Sequence, residues 1–207
     1  MVPKATFFNL NEEKKQILID AAKQEFSRNS LYDASISNIL KTAGIPRGSF
    51  YQYFDDKEDA FFYLLNEHAK ERHEYLISNL KKYDGDLFKA IGEIFKSTLE
   101  HSEDTGQRDF IRNVLLNMNY KIENTFSQYL SEDVTNERYD DIYDLVNAEQ
   151  LNVSSRKEMF HVMQIISAVT FHNLIHSVSN NLSISDAMKK YETELELLKS
   201  GLLRTSS

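Results

Sequence analysis

A chain of 207 residues, 41% of them hydrophobic, can bury a sizeable core and is too apolar to be disordered. The absence of cysteine excludes disulfides and thiolate metal sites and suits a cytoplasmic protein, while two prolines and six glycines favour long helices over strands and turns. The net charge of −8 excludes a generic nucleic-acid coat, yet the acid is uneven: residues 1–60 hold eight Lys and Arg against nine Asp and Glu, the remainder sixteen against twenty-three, and Ala34 to Phe54 has Lys41 and Arg47 but no acid at all.

Asn11 can cap a first helix from Glu12 to Arg28, whose Ile17, Leu18, Ala21, Ala22 and Phe26 share one face. After a break at Asn29–Ser30, Ser35 stands as an N-cap ahead of Ile36, Ile39 and Leu40, and Gly44 ends that short helix. Pro46 suits the first position of a third helix running to Phe54. Asp55 and Asp56 supply the next cap, with Asp56 preferred. A long helix follows from about Lys57 to Lys82, striped by Phe61, Leu65, His68, Leu76 and Leu80. Tyr83-Asp84-Gly85-Asp86 marks a turn. Helices are then expected over about 87–102, 107–131 and 135–149. Ser155-x-x-Glu158 has the form of a capping box ahead of a long helix to about Ser179, and Ser183-x-x-Asp186 opens a last one to Leu203.

Residues 159–185 carry no Asp, Glu, Lys or Arg, but Gln164, His172, Asn173 and His176 interrupt the run, so it suits a buried helix rather than a membrane span. The sequence does not open with a basic region and an apolar run, so no signal peptide is expected. The fold class is therefore all-α: a three-helix head over residues 1–56, joined to a helical bundle over residues 57–207.

The second and third helices, joined tightly at Gly44, form a helix-turn-helix over roughly Ser35 to Phe54. In that geometry the second helix of the pair enters the major groove of DNA. Phe50 and Phe54 lie four apart and face the core with Ile45, whereas Arg47 and Tyr51 share another face with Gly48 and Gln52 beside them. A core accounts for the phenylalanines but not for an Arg, a Gly and a Tyr facing outward. Arg47 can fork onto guanine O6 and N7 or pair with phosphate. Gly48 costs a helix about 1 kcal/mol against Ala, but lets backbone approach a duplex closely. Ser35, Ser37, Ser49 and Tyr51 offer hydroxyls to phosphate, and Lys57 offers a charge.

The stretch Ala43-Gly44-Ile45-Pro46-Arg47-Gly48-Ser49-Phe50-Tyr51-Gln52-Tyr53-Phe54-Asp55-Asp56-Lys57-Glu58 resembles the signature of the TetR/AcrR family of bacterial regulators. The likeness covers about residues 12–65 and is highly specific; beyond it the chain is similar only in being helical. The resemblance implies that Arg47, Gly48, Ser49, Tyr51 and Tyr53 contact DNA, that Ser35 and Ser37 lie near phosphate and that Lys57 touches it. It also implies a symmetric dimer on operator DNA, capture of a small molecule in the bundle and loss of DNA affinity on capture. Repression is the family's default, with activation an alternative. Three departures stand out: Ser30 where a capping Gly is common, Pro46 in place of a frequent Ser or Thr, and Asp55 and Asp56 near the DNA side, where exposed acids would repel it.

Enzymatic alternatives fit poorly. A di-metal carboxylate bundle needs two Glu-x-x-His motifs, and this chain has one, Glu158-x-x-His161, with Glu158 claimed by the cap. His172 and His176 have zinc-protease spacing, but Asn173 stands where the general base belongs. A metal-sensing site on His161, His172 and His176 is the alternative regulator reading; histidines satisfied by hydrogen bonds are the commoner outcome. No cofactor, metal or membrane is expected. The effector is expected to be apolar or aromatic, from bundle residues such as Phe88, Phe95, Phe126, Met163 and Phe171, although no single residue is assigned to it.

The last helix carries Ile184, Met188, Tyr191, Leu195, Leu198 and Leu202 at spacings of 4, 3, 4, 3 and 4, with charged residues on its other faces. That narrow seam packs helix on helix. Together with the preceding uncharged helix it is expected to form a symmetric four-helix dimer interface, in which Met188, Tyr191, Leu195, Leu198 and Leu202 take part.

Overall fold

A computed structural model of the chain describes residues 3–104, 110–127 and 137–202. All regular elements among them are helices: α1 (Ala5–Phe8), α2 (Glu12–Arg28), α3 (Ile36–Ala43), a 3-10 turn at Arg47–Ser49 that runs into α4 (Phe50–Tyr53), α5 (Lys57–Lys82), α6 (Leu87–Asp104), α7 (Phe110–Leu116), α8 (Tyr120–Ser127), α9 (Glu137–Tyr143), a 3-10 turn at Ala148–Gln150, α10 (Arg156–Ser179) and α11 (Ile184–Leu202). None is long and apolar enough to cross a membrane.

Four of the five caps read from sequence form as expected, at Asn11, Asp56, Ser155 and Ser183. The Asn11 side chain accepts from the Lys14 amide, Ser155 from Glu158, and Ser183 from Asp186. Glu158 reaches back to the Ser154 amide, completing the reciprocal pattern of a capping box. Asp56 accepts from the Asp59 amide at 2.9 Å, and Asp59 accepts from the Asp55 amide at 3.0 Å, so α5 starts at a doubly bonded corner.

Two expectations of the middle region are corrected. Instead of one helix over 107–131, the described residues hold α7 and α8 with a break at Asn117–Asn119. The Asn117 side chain donates back to Asn113, and Asn119 accepts from the Ile122 amide, so asparagines close one helix and cap the next. Instead of a helix to residue 149, α9 ends at Tyr143 and a turn follows. Residues 105–109 and 128–136 lie outside the described residues.

The chain divides into two compact units. The first comprises the described parts of residues 1–69 and 105–125. There α2 packs on α3 and α7, and α1 on α4. Its core holds Leu18, Phe26, Ile39, Leu40, Phe50, Phe54, Phe61, Leu65 and Val114. Of the α2 stripe, Ile17 is the exception and remains 44% exposed. Phe26, Phe61 and Phe110 meet at centroid distances of 5.2, 5.5 and 6.5 Å, which lets α7 close the core of this unit. The Asn113 side chain, on α7, donates to the Phe26 and Asn29 carbonyls at 2.8 Å each and so satisfies the C-terminal end of α2.

The second unit comprises the described parts of residues 70–104 and 126–207, in which α6, α10 and α11 pack on one another. Phe95 stacks on Tyr191 at 4.0 Å, and Leu80, Phe88, Met163, Ile166 and Leu174 are buried in the same unit. Gly85 turns the chain with φ 79°, and a Cβ there would lie 2.6 Å from backbone atoms of Leu145 and Asn147, so only glycine fits.

Candidate nucleic-acid interface

The helix-turn-helix begins from Glu25, a buried acid that the sequence did not single out. Its Oε1 accepts from the Ser35 amide at 2.7 Å and from the Asn29 and Asn38 side chains at 3.1 and 3.3 Å. One carboxylate thus ties the end of α2 to the start of α3. Two of its partners, Ser35 and Asn38, lie 10 and 13 residues away, separations that carry no local signal. Ser35 holds the N-cap position of α3 with extended backbone, but its hydroxyl makes no capping bond. Gly44 ends α3 in the left-handed conformation, φ 67°, and its amide bonds back to Leu40 and Lys41.

The third helix differs from expectation at its start. Pro46 is extended, with φ −60° and ψ 149°, and stands outside the helix; Arg47–Ser49 form a 3-10 turn before α4. No side chain caps this end, and Gly48 disfavours α geometry, so the tighter turn opens the helix. Phe50 and Phe54 are buried as expected, 5.3 Å apart, whereas Ile45 is only half-buried.

The opposite face is open. Tyr51 is 52% exposed and Gln52 and Ser37 are exposed, while Ser35, Ser49 and Tyr53 are half-buried. Gly48 is exposed, and a Cβ added there would meet nothing within 4 Å. No contact among the described residues requires glycine at this position. The Arg47 side chain lies outside the described part of the structure. Lys57 is half-buried, with its ammonium donating to the Tyr32 and Ala34 carbonyls just ahead of α3. That leaves one ammonium proton of three for an outside acceptor.

The segment before α2 contributes contacts that the sequence did not suggest. Lys4 forms an ion pair with Asp55 at 2.6 Å, which offsets the repulsion an exposed acid would exert on DNA here. Phe7 is fully buried against Phe54 and Tyr63. Burial, followed by the charges of Glu67 and Glu12, raises the Tyr63 phenol above its usual range.

In the second unit the α11 seam divides. Tyr191 and Leu195 are 0% and 5% exposed, buried within their own chain. Tyr191 is held by the Phe95 stack and by a 2.6 Å hydrogen bond with Thr170. Burial raises its phenol well above the usual range; Thr170 opposes that shift and the Glu194 charge adds to it. Met188 and Leu198 are half-buried, and the Leu202 side chain lies outside the described part. The open apolar positions are instead Ile165, 45% exposed on α10, and Leu197, 69% exposed on α11. His172 and His176 have ring centroids 6.3 Å apart, but His161 stands eleven residues earlier on the same helix. That is about 16 Å along the axis at the usual rise per residue, too far for one ion to join all three. Among the described residues no group of three His, Cys, Asp or Glu is placed to hold a metal.

A glycine-capped helix-turn-helix with an open, acid-free reading face defines a class, the helical DNA-reading regulators. Residues 18–64 match the bacterial regulatory proteins of the tetR family, and residues 86–202 match the tetracyclin repressor-like C-terminal domain. The chain belongs to the TetR family, a family of regulatory proteins and not of enzymes. It is 27% identical over 104 residues to the HTH-type transcriptional regulator AcrR of Shigella flexneri, covering 50% of this chain and 48% of that one. It is 29% identical over 87 residues to the HTH-type transcriptional repressor NemR of Escherichia coli, covering 42% and 44%. The matched stretches thus span under half the length of these curated relatives. In fold it is similar to SmeT, the repressor of the Stenotrophomonas maltophilia multidrug efflux pump SmeDEF, with a TM-score of 0.66 at 15% identity over 92% of this chain and 91% of that one.

Proposed function

We propose that the chain is a transcriptional repressor that binds a palindromic operator as a homodimer and releases it when a small molecule enters the bundle. Residues 1–56 are its reading head, and residues 57–207 sense the effector and dimerise. The observation that carries the reading is the outward face of the third helix, where Gly48 opens onto empty space beside a Tyr51 that is 52% exposed. An exposed glycine whose added Cβ would touch none of the described residues weakens its helix without serving the fold. Close approach of a duplex gives that loss a use. Arg47 and Tyr51 reach bases or phosphate, Ser35, Ser37, Ser49 and Tyr53 bond the backbone on either side, and Lys57 lends its remaining proton to a phosphate. The names of AcrR and NemR support regulation, and that of NemR supports repression.

The dimer in this reading forms through the open side of α10 and α11, with Ile165 and Leu197 at its centre and Met188, Leu198 and Leu202 alongside. Two reading helices would then stand ~34–36 Å apart or somewhat more, one turn of DNA. The effector is apolar or aromatic, in keeping with the Phe126–Phe171 pair, at 5.1 Å, and the buried Phe88, Phe95 and Met163. The test is selection of a binding site from random-sequence duplexes, followed by titration at several salt concentrations. A palindromic site whose affinity falls steeply with salt is expected. Failure to select any sequence overturns the reading.

A further inference from the structure

The carbonyls at the C-terminal end of α4 have no partners within their own helix beyond Phe50, which accepts from the Phe54 amide. That leaves Tyr51, Gln52 and Tyr53, and one segment satisfies all three. The Lys4 ammonium donates to the Tyr51 carbonyl at 2.9 Å, the Thr6 hydroxyl to that of Gln52, and the Lys4 backbone amide to that of Tyr53 at 2.9 Å. The same ammonium pairs with Asp55 at 2.6 Å. Phe7 locks the segment in place: it is fully buried, 5.1 Å from the Phe54 ring and 5.0 Å from the Tyr63 ring.

We infer that residues Lys4–Phe7 form a brace that holds the reading helix at the pitch needed for specific DNA recognition, with Lys4 and Thr6 as positioning residues. The inference rests on the DNA-reading role proposed above. A helix this short cannot hold its own geometry, because a first turn fixes several residues for a single hydrogen bond. Its 3-10 start lacks a side-chain cap, so its order must come from its buried phenylalanines and its far end. Carbonyls left bare there would draw water and let the last turn fray. A cation at a helix C-terminus adds a favourable interaction with the helix dipole. Tyr51 and Gln52 belong both to the reading face and to the braced carbonyls, so fraying would displace the side chains that read.

The test uses the full chain and three variants, Thr6→Val, Lys4→Met and Lys4→Arg, on the duplex selected by the wild-type chain and on a random-sequence duplex. Thr6→Val keeps shape and charge, so it separates bracing from attraction to phosphate. Thr6→Val and Lys4→Met are each expected to weaken the selected site about three- to tenfold, the range for one lost hydrogen bond. Random-duplex affinity and the salt slope should stay unchanged for Thr6→Val, and Lys4→Arg should restore binding. Amide exchange at Phe54 should quicken in both weakened variants while Ile39 and Leu40 of α3 are unaffected. If the wild-type chain selects a site that both variants bind equally well, the brace is refuted and the DNA reading stands. If Lys4→Met weakens both duplexes alike and Thr6→Val neither, Lys4 touches the backbone directly and the brace is refuted as well. A wild-type chain that selects no site removes the proposed function and this inference together.

Discussion

The third helix and α11 each carry an apolar pair four residues apart, Phe50 with Phe54 and Tyr191 with Leu195, and both pairs are buried. The helices differ in what remains. Around Phe50 and Phe54 the rest of the surface is Gly48, Tyr51 and Gln52, polar or bare and exposed. Around Tyr191 and Leu195 it includes Leu197, an apolar side chain 69% exposed. The first helix leaves a face suited to a charged, hydrogen-bonding ligand, the second a face suited to another protein surface. An apolar stripe identifies where a helix meets its own core, and the function resides in the face left over.

The sharpest way to break that contrast is within α11. Leu195→Glu should destabilise the subunit by ~3–5 kcal/mol, because it places an unpaired charge in the core. Leu197→Glu, two residues on, should leave subunit stability within ~0.5 kcal/mol and shift the dimer toward monomer in sedimentation. If the two variants behave alike, α11 is not divided into an inner and an outer face. In the head, Tyr51→Ala and Arg47→Ala should each weaken the selected duplex by ~1–3 kcal/mol with little change in melting temperature. A loss of stability instead would place those side chains in the core.

Legibility from sequence follows the range of the interactions. Asp56, Ser155 and Ser183 were readable as caps because cap and partner lie three residues apart. Phe50 and Phe54 were readable by helical period, and so was the acid-free window that became the open face. Glu25 was not, because its partners at Ser35 and Asn38 are brought near only by the fold. Nor was the docking of Lys4 and Thr6 on residues 51–53, more than forty positions away. The α11 seam was visible as apolar spacing, but 3–4 periodicity does not say which helix is the neighbour. For Tyr191 and Leu195 the neighbours are α6 and α10 of the same chain. The asparagines at 113, 117 and 119 were available as a helix-break signal, yet helix-compatible neighbours masked it.

A smaller effect probes the inner face of α11. Tyr191→Phe removes the hydrogen bond to Thr170 and should cost ~1 kcal/mol. Because burial raises the Tyr191 phenol above its usual value, the folded chain holds this proton more tightly than the unfolded chain does. That stabilisation is complete below pH ~10 and is lost as pH rises through the folded value. Stability of the wild-type chain should therefore fall more steeply above pH ~10 than that of Tyr191→Phe, as followed by thermal melts.

The most direct measurement is on Gly48→Ala, with melting temperature and affinity for the selected duplex determined on the same protein. A Cβ at this position would meet nothing within 4 Å among the described residues. Ala also favours the helix by up to ~1 kcal/mol. A melting temperature equal to or above that of the wild-type chain is expected together with weakened binding of the duplex, the two quantities moving in opposite directions. Unchanged affinity, or a melting temperature that falls along with it, would contradict the claim that the open face of the third helix is shaped for DNA and not for the fold.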